Sequence, residues 1–267
     1  MLQIFVISLE SASDRRRSVR AQFRAAGLPF RFFDAIDGSR ELDAGFEGID
    51  EAVYRLNTYR DPLPGEIGCY ASHVSLWRHC VELGEPIVVL EDDCRLEGHF
   101  AEALGVVGSL IQEFGFIRLQ GFGRSVGFKS ALKSRVLGSV RGHSLHYLSS
   151  VPLCLLGYAV SPSCAARLVA ASRRIESPID KFVQRTWEHG EPIFALSPAC
   201  VSDSALAADT TIGVRKTNKK GQVALALRRA GYKIRGEIAR RRFDRRQLGR
   251  LRLGSGTAAC ELPEFSG

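Results

Sequence analysis

Short apolar runs alternate with longer amphipathic stretches along the first two hundred residues of the chain. The runs at 3–9, 29–33 and 86–90 each lead into polar or acidic residues, which predicts β-strands that end in polar loops. The third run is apolar at every position, as expected of a strand buried on both faces in a helix-covered sheet. Helical spacing, capping residues and terminating glycines predict helices at 15–26, 65–83, 98–113, 162–173 and 178–189. This alternation of strands and helices predicts an α/β fold.

Four more apolar runs predict strands at 116–120, 145–149, 153–160 and 193–196. Three segments lack periodicity and are predicted to be irregular, namely a long loop at 39–63, a glycine-rich basic loop at 121–142, and residues 200–213. No glycine-rich phosphate loop follows the first strand, so neither the dinucleotide-binding fingerprint nor the P-loop is present. A nucleotide would therefore have to be held differently.

Charge is divided unevenly along the chain. The net charge is +8, but residues 215–252 carry fifteen Lys or Arg against two acids, whereas residues 1–214 carry 22 basic and 25 acidic residues. This shift predicts a globular domain at 1–213 and a basic tail at 214–267. Apolar spacing in the tail predicts an amphipathic helix with one apolar stripe, formed by Val223, Leu227, Ala230, Ile234 and Ile238. The other faces carry basic residues: Arg228, Arg229, Lys233, Arg235, Arg240, Arg241 and Arg242.

The composition is that of an ordinary globular protein, with 45% hydrophobic and 25% charged residues. No apolar run approaches the length of a membrane span, and the N-terminus lacks the features of a signal peptide, so a cytoplasmic protein is expected. The seven cysteines are odd in number and include no Cys-x-x-Cys pair. Their pattern argues against a disulfide framework and against a structural zinc site.

Three acids, Glu91, Asp92 and Asp93, follow the central apolar run. Ligands of open α/β sheets bind beyond the carboxyl ends of the strands, so these side chains lie where a site is expected. Adjacent carboxylates repel one another, and a bound divalent cation relieves that repulsion. Their hard oxygen atoms favour Mg²⁺ or Mn²⁺ over zinc. A strand that simply runs into a solvated acidic turn is the alternative interpretation.

Two further residues are candidates for chemistry, and each also has a structural explanation. His73 lies on a helical stripe with Glu66, Tyr70 and Trp77, and a lone histidine on a helix is more often a hydrogen-bonded structural residue than a catalyst. Asp180 lies in the first turn of a predicted helix, where an acid also complements the helix dipole.

Four ordered blocks span three quarters of the chain, from residue 3 to about residue 204. They are Ile4–Leu9 with Asp14–Arg16, Phe33–Gly38, Gly65–Trp77 with Leu90–Asp93, and Gly157–Tyr158 with Pro178–Asp180. Taken together, the blocks resemble glycosyltransferase family 25, the bacterial lipooligosaccharide and lipopolysaccharide galactosyltransferases. Ser8 stands where that family usually has asparagine. The ordered set is far more specific than any single block.

The resemblance implies a GT-A type fold, that is, a Rossmann-like mixed sheet with flanking helices that binds a UDP-sugar with a divalent metal, usually Mn²⁺ (or Mg²⁺). Glu91, Asp92 and Asp93 take the place of that fold's Asp-x-Asp motif. On this basis Asp93 is the first candidate for a metal ligand and Glu91 the second, while Asp92 is expected to contact the ribose or the sugar. His189 is a candidate for a further metal ligand.

The resemblance also implies inverting transfer of a hexose, with galactose the first candidate, to a saccharide of lipooligosaccharide, lipopolysaccharide or a related cell-surface glycan. The acceptor hydroxyl attacks the anomeric carbon from the face opposite UDP, and one general base must accept its proton. Asp180 is the first candidate for this base and His73 the second. The expected donor-site residues are Ser8, Leu9, Arg15, Asp37 and Asp92.

The acceptors of this family are lipid-linked sugars, so the basic tail is predicted to hold the protein at the anionic inner face of the inner membrane. Docking of the apolar stripe on the catalytic domain is the alternative role for the tail.

Three other functions fit parts of the sequence. A nucleotidyltransferase is disfavoured by the missing phosphate loop, and a catalytically inactive sugar-nucleotide-binding protein by the intact Glu91, Asp93 and Asp180. A nucleic-acid arm is disfavoured by the scarcity of aromatic residues in the tail.

Overall fold

The computed structural model describes residues 2–40, 42–43, 45–122, 134–204 and 223–253. The strands are β1 (Gln3–Ser8), β2 (Arg31–Asp34), β3 (Gly48–Ile49), β4 (Ile87–Glu91), β5 (Cys94–Leu96), β6 (Phe116–Arg118), β7 (Ser134–Val140), β8 (His143–Leu148), β9 (Gly157–Val160), β10 (Arg174–Ile175), β11 (Phe194–Ser197) and β12 (Val201–Asp203). The helices are α1 (Ser13–Ala26), α2 (Glu51–Thr58), α3 (Pro64–Leu83), α4 (Phe100–Phe114), α5 (Pro162–Ala171), α6 (Ile179–Gln184), α7 (Thr186–His189) and α8 (Val223–Leu253).

Eight of the strands form one mixed sheet in the order β2-β1-β4-β9-β6-β11-β8-β7. Strand β1 is parallel to β2 and β4, and β11 is parallel to β6, whereas β9 lies antiparallel between β4 and β6. Strands β2, β1, β4, β6 and β11 therefore all point their carboxyl ends toward the same edge of the sheet. The predicted α/β fold with a mixed sheet and flanking helices is confirmed, and its assignment to the GT-A type stays a prediction.

Helices cover both faces of the sheet, and the central strand shows why its sequence is continuously apolar. Ile87 and Val89 belong to the core that contains α3, α5 and α6, whereas Val88 and Leu90 belong to the core that contains α1 and α4. Successive side chains of a strand point to opposite faces, so a strand covered on both sides needs an apolar residue at every position.

Helix α3 is buried around most of its circumference. Eleven of its twenty residues are buried, including the polar side chains of Glu66, Ser72 and His73. The predicted stripe of His73 and Trp77 therefore faces protein, as do the neighbouring apolar residues Leu76 and Cys80. Each polar side chain on this helix consequently needs a hydrogen-bond partner inside the molecule.

The loop after β2 packs against the first turns of α3 at backbone distance. The Ile36 N–H donates to Ser72 Oγ at 2.8 Å, and the Ser72 hydroxyl donates to the Gly68 carbonyl at 2.7 Å. A Cβ atom on Gly68 would lie 2.2 Å from the Ile36 carbonyl oxygen, and one on Gly38 would lie 2.0 Å from that of Pro64. Only glycine permits this approach.

Three segments expected to be irregular contain regular structure, so those predictions are wrong. Helix α2 lies inside the predicted loop at 39–63, with the Asp50 side chain accepting from the Val53 N–H at 3.0 Å at its start. Strand β7 lies within 121–142, and β12 within 200–213. Strand β12 pairs with β5, which is distant in sequence, and local periodicity does not reveal such a pairing. Strand β7 forms an antiparallel hairpin with the next strand, β8. Residues 123–133 and 205–222 lie outside the described residues.

Helix α8 packs on α2 and α7 through a face that is rich in polar groups. The Arg229 guanidinium lies 3.7 Å from the ring centroid of Tyr59, and the Tyr147 hydroxyl donates to Asp244 at 2.8 Å. The predicted apolar stripe lies on the other side of the helix, where Leu227, Ile234 and Ile238 are 70%, 61% and 47% exposed. The alternative in which this stripe docks on the catalytic domain is therefore wrong for these three residues. The predicted boundary near residue 213 is outside the described residues and stays a prediction.

Among the helices that the structure describes, none has both the length and the apolar content needed to cross a bilayer.

The close approach at Gly68 generates a stability prediction. Gly68→Ala should lower the free energy of unfolding by about 1–3 kcal/mol, because the new methyl group displaces the Ile36 segment from α3. Urea denaturation of both proteins measures this difference. Gly108→Ala is the control, since this helical glycine has no atom within 4 Å of an added Cβ. That substitution should stabilise the protein by up to about 1 kcal/mol. Equal stability of the two variants would contradict the packing described.

Candidate functional site

The candidate site lies at the edge of the sheet where the parallel strands end. Ser8, Asp34, Glu91 and Arg118 are the last residues of β1, β2, β4 and β6. The topology of the sheet thus brings together polar residues from four strands, some of which are far apart in the sequence. This edge is where an open α/β sheet binds its ligands.

Asp92 ties the end of β4 to β1 and α1. Its Oδ2 accepts from the Ser8 hydroxyl at 2.7 Å, and its Oδ1 pairs with Arg15 Nη1 at 3.0 Å. The neighbouring Arg16 donates to the carbonyl oxygens of Ser8 at 2.8 Å and Leu9 at 3.0 Å. Ser8, Arg15 and Asp92 are thus brought together as predicted for one site, and both Asp92 oxygens are engaged within the protein.

An open pocket of about 710 Å³ lies beyond the ends of β1 and β2 and is lined by residues 9–11, 34–37 and 40. It contains two of the predicted donor-site residues, Leu9 and Asp37. The Asp37 carboxylate accepts from the Ser39 hydroxyl at 2.7 Å and from the Ser39 N–H at 3.0 Å. These two hydrogen bonds hold the pKa of Asp37 below its usual value. The volume is within the range of small-molecule sites.

Asp93 differs from Asp92 because its charge is poorly compensated. Its Oδ1 atom is buried and has no hydrogen-bond partner among the residues that the structure describes. Burial, followed by the negative charge of Glu91, raises the pKa of Asp93 to about 6, although Arg15 opposes the shift. A buried carboxylate oxygen without a donor, beside a second carboxylate, suits a hard divalent cation. The residues therefore fit the Mn²⁺ or Mg²⁺ that the family resemblance implies.

His73 connects α3 to the acidic strand end through a chain of hydrogen bonds. The Trp77 indole N–H donates to the Tyr158 hydroxyl at 2.9 Å, and His73 Nδ1 lies 2.9 Å from the same oxygen. His73 Nε2 lies 3.3 Å from Glu91 Oε1. All donors are satisfied when Tyr158 donates to Nδ1 and the Nε2–H group donates to Glu91. His73 is fully buried, so in this structure it orients Glu91.

Cys69 lies beside this pair, one helical turn before His73. The Cys69 sulfur, a His73 ring nitrogen and a Glu91 carboxylate oxygen are all within 4.8 Å of one another. Burial, followed by the charges of Glu91, Asp180 and Asp93, raises the pKa of the Cys69 thiol well above its usual value. The negative charges of Glu91, Asp93 and Asp180 all act on this thiol, so Asp180 lies near the acidic strand end.

Asp180 lies in the first turn of α6 and faces the loop before β9. Its Oδ2 accepts from the Cys154 N–H at 3.3 Å, and its Oδ1 accepts from the Lys181 N–H at 2.7 Å. Cys154 has a φ of 73°, in the left-handed region that favours glycine. The Asp180 carboxylate therefore has a fixed orientation on the β9 side of the site. An acid that only complemented the helix dipole would not need such an orientation.

Arg118 is a fully buried cation at the end of β6. Its Nη2 donates to the Cys154 carbonyl at 2.7 Å, whereas Nε and Nη1 have no partner among the described residues. Burial lowers the pKa of Arg118 to about 10, and the charges of Asp180 and Glu91 oppose this shift. The guanidinium thus stays protonated near neutral pH and adds a positive charge beside the two acids.

His189 does not join the site, so its prediction as a metal ligand is wrong. Its Nε2 lies 3.2 Å from the Val183 carbonyl oxygen, and its Nδ1 accepts from the Glu191 N–H at 3.2 Å. Burial lowers its pKa to about 4, so the ring is neutral at physiological pH. Both nitrogen atoms are used to hold α7 in place.

Sequence reasoning missed three residues of the site. Cys69 and Tyr158 were included only in sequence blocks, and Arg118 was not singled out at all. A signal for Arg118 exists in the sequence, because a single arginine interrupts the apolar run Phe116–Leu119. A charged residue in a strand that is otherwise apolar is rarely buried without a function.

Comparisons with known proteins identify the family of the chain. The family model described as glycosyltransferase family 25 (LPS biosynthesis protein) matches residues 1–183. A protein named glycosyltransferase 25 family member from Aedes aegypti is 31% identical over 187 residues, which is 67% of this chain and 29% of that protein.

Two bacterial relatives carry more specific names. The lacto-N-neotetraose biosynthesis glycosyltransferase LgtB of Neisseria gonorrhoeae is 34% identical over 112 residues, covering 42% of this chain and 39% of LgtB. LgtE of Neisseria meningitidis serogroup B, with the same description, is 35% identical over 101 residues, covering 38% of this chain and 35% of LgtE. The chain thus spans well under half the length of these relatives. Because the family model covers more than half of the chain, in the part that forms the site, the protein belongs to glycosyltransferase family 25.

Proposed function

We propose that the protein is a metal-dependent, inverting glycosyltransferase that moves a hexose, in the first instance galactose, from a UDP-sugar to a saccharide acceptor. The acceptor is a saccharide of lipooligosaccharide, lipopolysaccharide or a related cell-surface glycan, carried on a lipid. Family membership and the names of the bacterial relatives support the class of reaction. The donor, the metal and the stereochemistry are inferences from the site.

The observation that carries the proposal is the buried Asp93 oxygen beside Glu91, which has no partner in the described part of the chain, next to the open pocket of Leu9 and Asp37. The pocket is a suitable size for a nucleoside, and the acids at the end of β4 lie next to it along the sheet edge. A donor bound in this way would place its uridine at β1 and β2. Its diphosphate would lie at β4, and its sugar near β9 and β6.

Asp93 and Glu91 would hold the metal, with His73 keeping Glu91 in orientation through its hydrogen bond at 3.3 Å. When bound, Mn²⁺ or Mg²⁺ neutralises the charge that develops on the departing diphosphate. Asp92 contributes indirectly, since its bonds to Ser8 and Arg15 fix the strand end that carries the other two acids. Arg15 also brings a positive charge to the diphosphate side of the site.

Asp180 is the proposed general base. It accepts the proton of the acceptor hydroxyl as that oxygen attacks the anomeric carbon from the face opposite UDP. Its hydrogen bonds to the backbone of Cys154 and Lys181 aim the carboxylate before the acceptor arrives. The nearby Arg118 keeps positive charge close to it. The fully buried His73 has no position for an acceptor beside it, so we assign it to orientation.

A catalytically inactive sugar-nucleotide-binding protein of the same fold is the second candidate. It would bind UDP at the same pocket and release no product. Incubation of the purified protein with a panel of UDP-sugars, Mn²⁺ and candidate saccharides distinguishes the two, with UDP release as the readout. UDP binding without UDP release under every combination would favour the inactive protein.

We further propose that α8 attaches the protein to the inner face of the inner membrane. Leu227, Ile234 and Ile238 lie within about 40° of one another around a helix of 3.6 residues per turn, and they are exposed. Exposed basic residues flank this stripe: Arg228, Lys233, Arg235, Arg241, Arg242 and Arg246. An apolar stripe bordered by cations matches an anionic lipid surface, where each Lys or Arg contributes about 1 kcal/mol.

Asp93→Asn should abolish transfer and Mn²⁺ binding while leaving the fold intact. The pKa of Asp93 is raised from 3.8 to about 6 in the folded protein, so its ionisation opposes folding as the pH rises through this interval. Above pH 6 the melting temperature of the variant should therefore equal or exceed that of wild type, and the difference between the two should be largest in this pH range. Calorimetric Mn²⁺ titration and thermal unfolding measure both effects. Glu102→Gln on α4 is the exposed control. Unchanged Mn²⁺ affinity in the Asp93 variant would contradict the assignment.

Asp180→Asn should reduce the rate constant for transfer by about 10² to 10⁴ and leave affinity for the UDP-sugar little changed. The amide cannot accept a proton, but it occupies the same space. Steady-state kinetics with both substrates separate the two effects, and thermal unfolding verifies that the contact to Cys154 is kept. A large loss of donor affinity with an unchanged rate constant would make Asp180 a binding residue.

A triple variant, Leu227→Ser with Ile234→Ser and Ile238→Ser, should lose binding to phosphatidylglycerol vesicles in co-sedimentation. Wild type should bind these vesicles at low salt and not bind phosphatidylcholine vesicles. Val81→Ser with Val136→Ser is the matched control, because both valines are exposed elsewhere on the surface. The full chain is used, since removal of α8 would uncover the surface that it packs on. Equal binding by triple variant and control would exclude this face as the anchor.

A further inference from the structure

We propose that Cys69 Sγ, His73 Nε2 and a Glu91 carboxylate oxygen form a binding site for a thiophilic divalent cation of the zinc class. The three donor atoms lie within 4.8 Å of one another. Nε2 is the ring nitrogen that faces Glu91, at 3.3 Å, whereas Nδ1 faces Tyr158. Small side-chain movements would therefore bring all three donors onto one ion.

The chemistry of this donor set selects a different class of cation from that of the acids alone. Thiolate, imidazole and carboxylate are the ligands of zinc, and three protein ligands leave a fourth position open. Mg²⁺ and Mn²⁺ prefer oxygen donors and gain nothing from the sulfur of Cys69. The same short region of the structure thus offers hard donors at Glu91 and Asp93 and softer donors at Cys69 and His73.

The helix makes the arrangement rigid. Cys69 and His73 are four residues apart on α3, so their side chains project from the same face on successive turns. The α3 backbone around them is buried on most sides, which limits rearrangement. The Glu91 side chain is 27% exposed, so an ion can reach its carboxylate from solvent.

Tyr158 supplies the hydrogen bond that a metal-bound imidazole needs. Binding through Nε2 requires the ring proton to reside on Nδ1, which then donates to the Tyr158 hydroxyl 2.9 Å away. Zinc-bound histidines generally donate their second ring N–H to such a partner. The Cys69 thiol releases its proton to solvent as the metal–sulfur bond forms.

Occupancy of this site would remove Glu91 from the site proposed for Mn²⁺ or Mg²⁺. A zinc-class ion would then inhibit transfer by competing for a shared ligand. This consequence depends on the proposed function, whereas the existence of the cation site does not.

Titration of the full chain with Co²⁺, monitored by absorption, tests the site directly. A cobalt–thiolate charge-transfer band should appear in wild type with one ion per chain, and Zn²⁺ should abolish it by displacement. Cys69→Ser should lack the band, and Cys154→Ser, which removes an exposed thiol outside the donor set, should keep it. Tyr158→Phe should weaken Co²⁺ affinity by about 10 to 100-fold. Circular dichroism verifies the fold of each variant, and Cys69→Ala replaces the serine variant if that one misfolds.

Absence of the band in wild type, or its persistence in folded Cys69→Ser or Cys69→Ala, would overturn the proposal. For the regulatory consequence, Zn²⁺ added to a UDP-release assay with Mn²⁺ should inhibit wild type more strongly than Cys69→Ser, when each protein is compared with its own activity without Zn²⁺. Equal inhibition of both proteins would show that the inhibition does not involve Cys69. If no UDP release occurs under any condition, the proposed function fails while the cobalt titration still decides the cation site.

Discussion

The burial of α3 is the constraint on which the rest of the site depends. A helix covered on most sides must satisfy its polar side chains within the protein, and here each solution fixes a segment of the site. Ser72 holds the loop after β2, His73 holds Glu91 through a chain that includes Tyr158, and Glu66 accepts from the Tyr54 hydroxyl at 2.8 Å and pairs with Arg60. The hydrogen bonds that stabilise the helix therefore also position the residues at the strand ends.

Asp92 and Asp93 are adjacent in the sequence but have different environments, and this difference gives them different roles in the site. Asp92 has both oxygens engaged by Ser8 and Arg15 and serves to join β4 to the strand and helix beside it. Asp93 has a buried oxygen without a donor among the described residues, and Arg15 offsets its charge only in part. Arg118 is the counterpart on the other side of the site, a buried cation with two nitrogen atoms that lack partners among the described residues.

Much of the fold could be predicted because its signals are local. The continuous apolar run of β4 and the glycine at the end of α1 identify those elements directly, and the ordered blocks identify the edge of the sheet. The contacts of Cys69 with Glu91 and of Arg118 with Cys154 could not be predicted, since they join segments distant in sequence. The docked face of α8 also escaped prediction. Arg229 stacks on Tyr59 there, so polar and aromatic contacts rather than the apolar stripe determine its orientation.

The central claim is that the end of β4 holds a metal-bound sugar nucleotide between the uridine pocket and Asp180. A crystal structure of the protein with UDP and Mn²⁺, with anomalous diffraction recorded for manganese, tests it most directly. The account predicts one anomalous peak within coordination distance of the Asp93 and Glu91 carboxylates and of the diphosphate, with the uracil ring in the pocket lined by Leu9 and Asp37. A manganese peak bound without Asp93, or UDP bound away from this edge of the sheet, would contradict it.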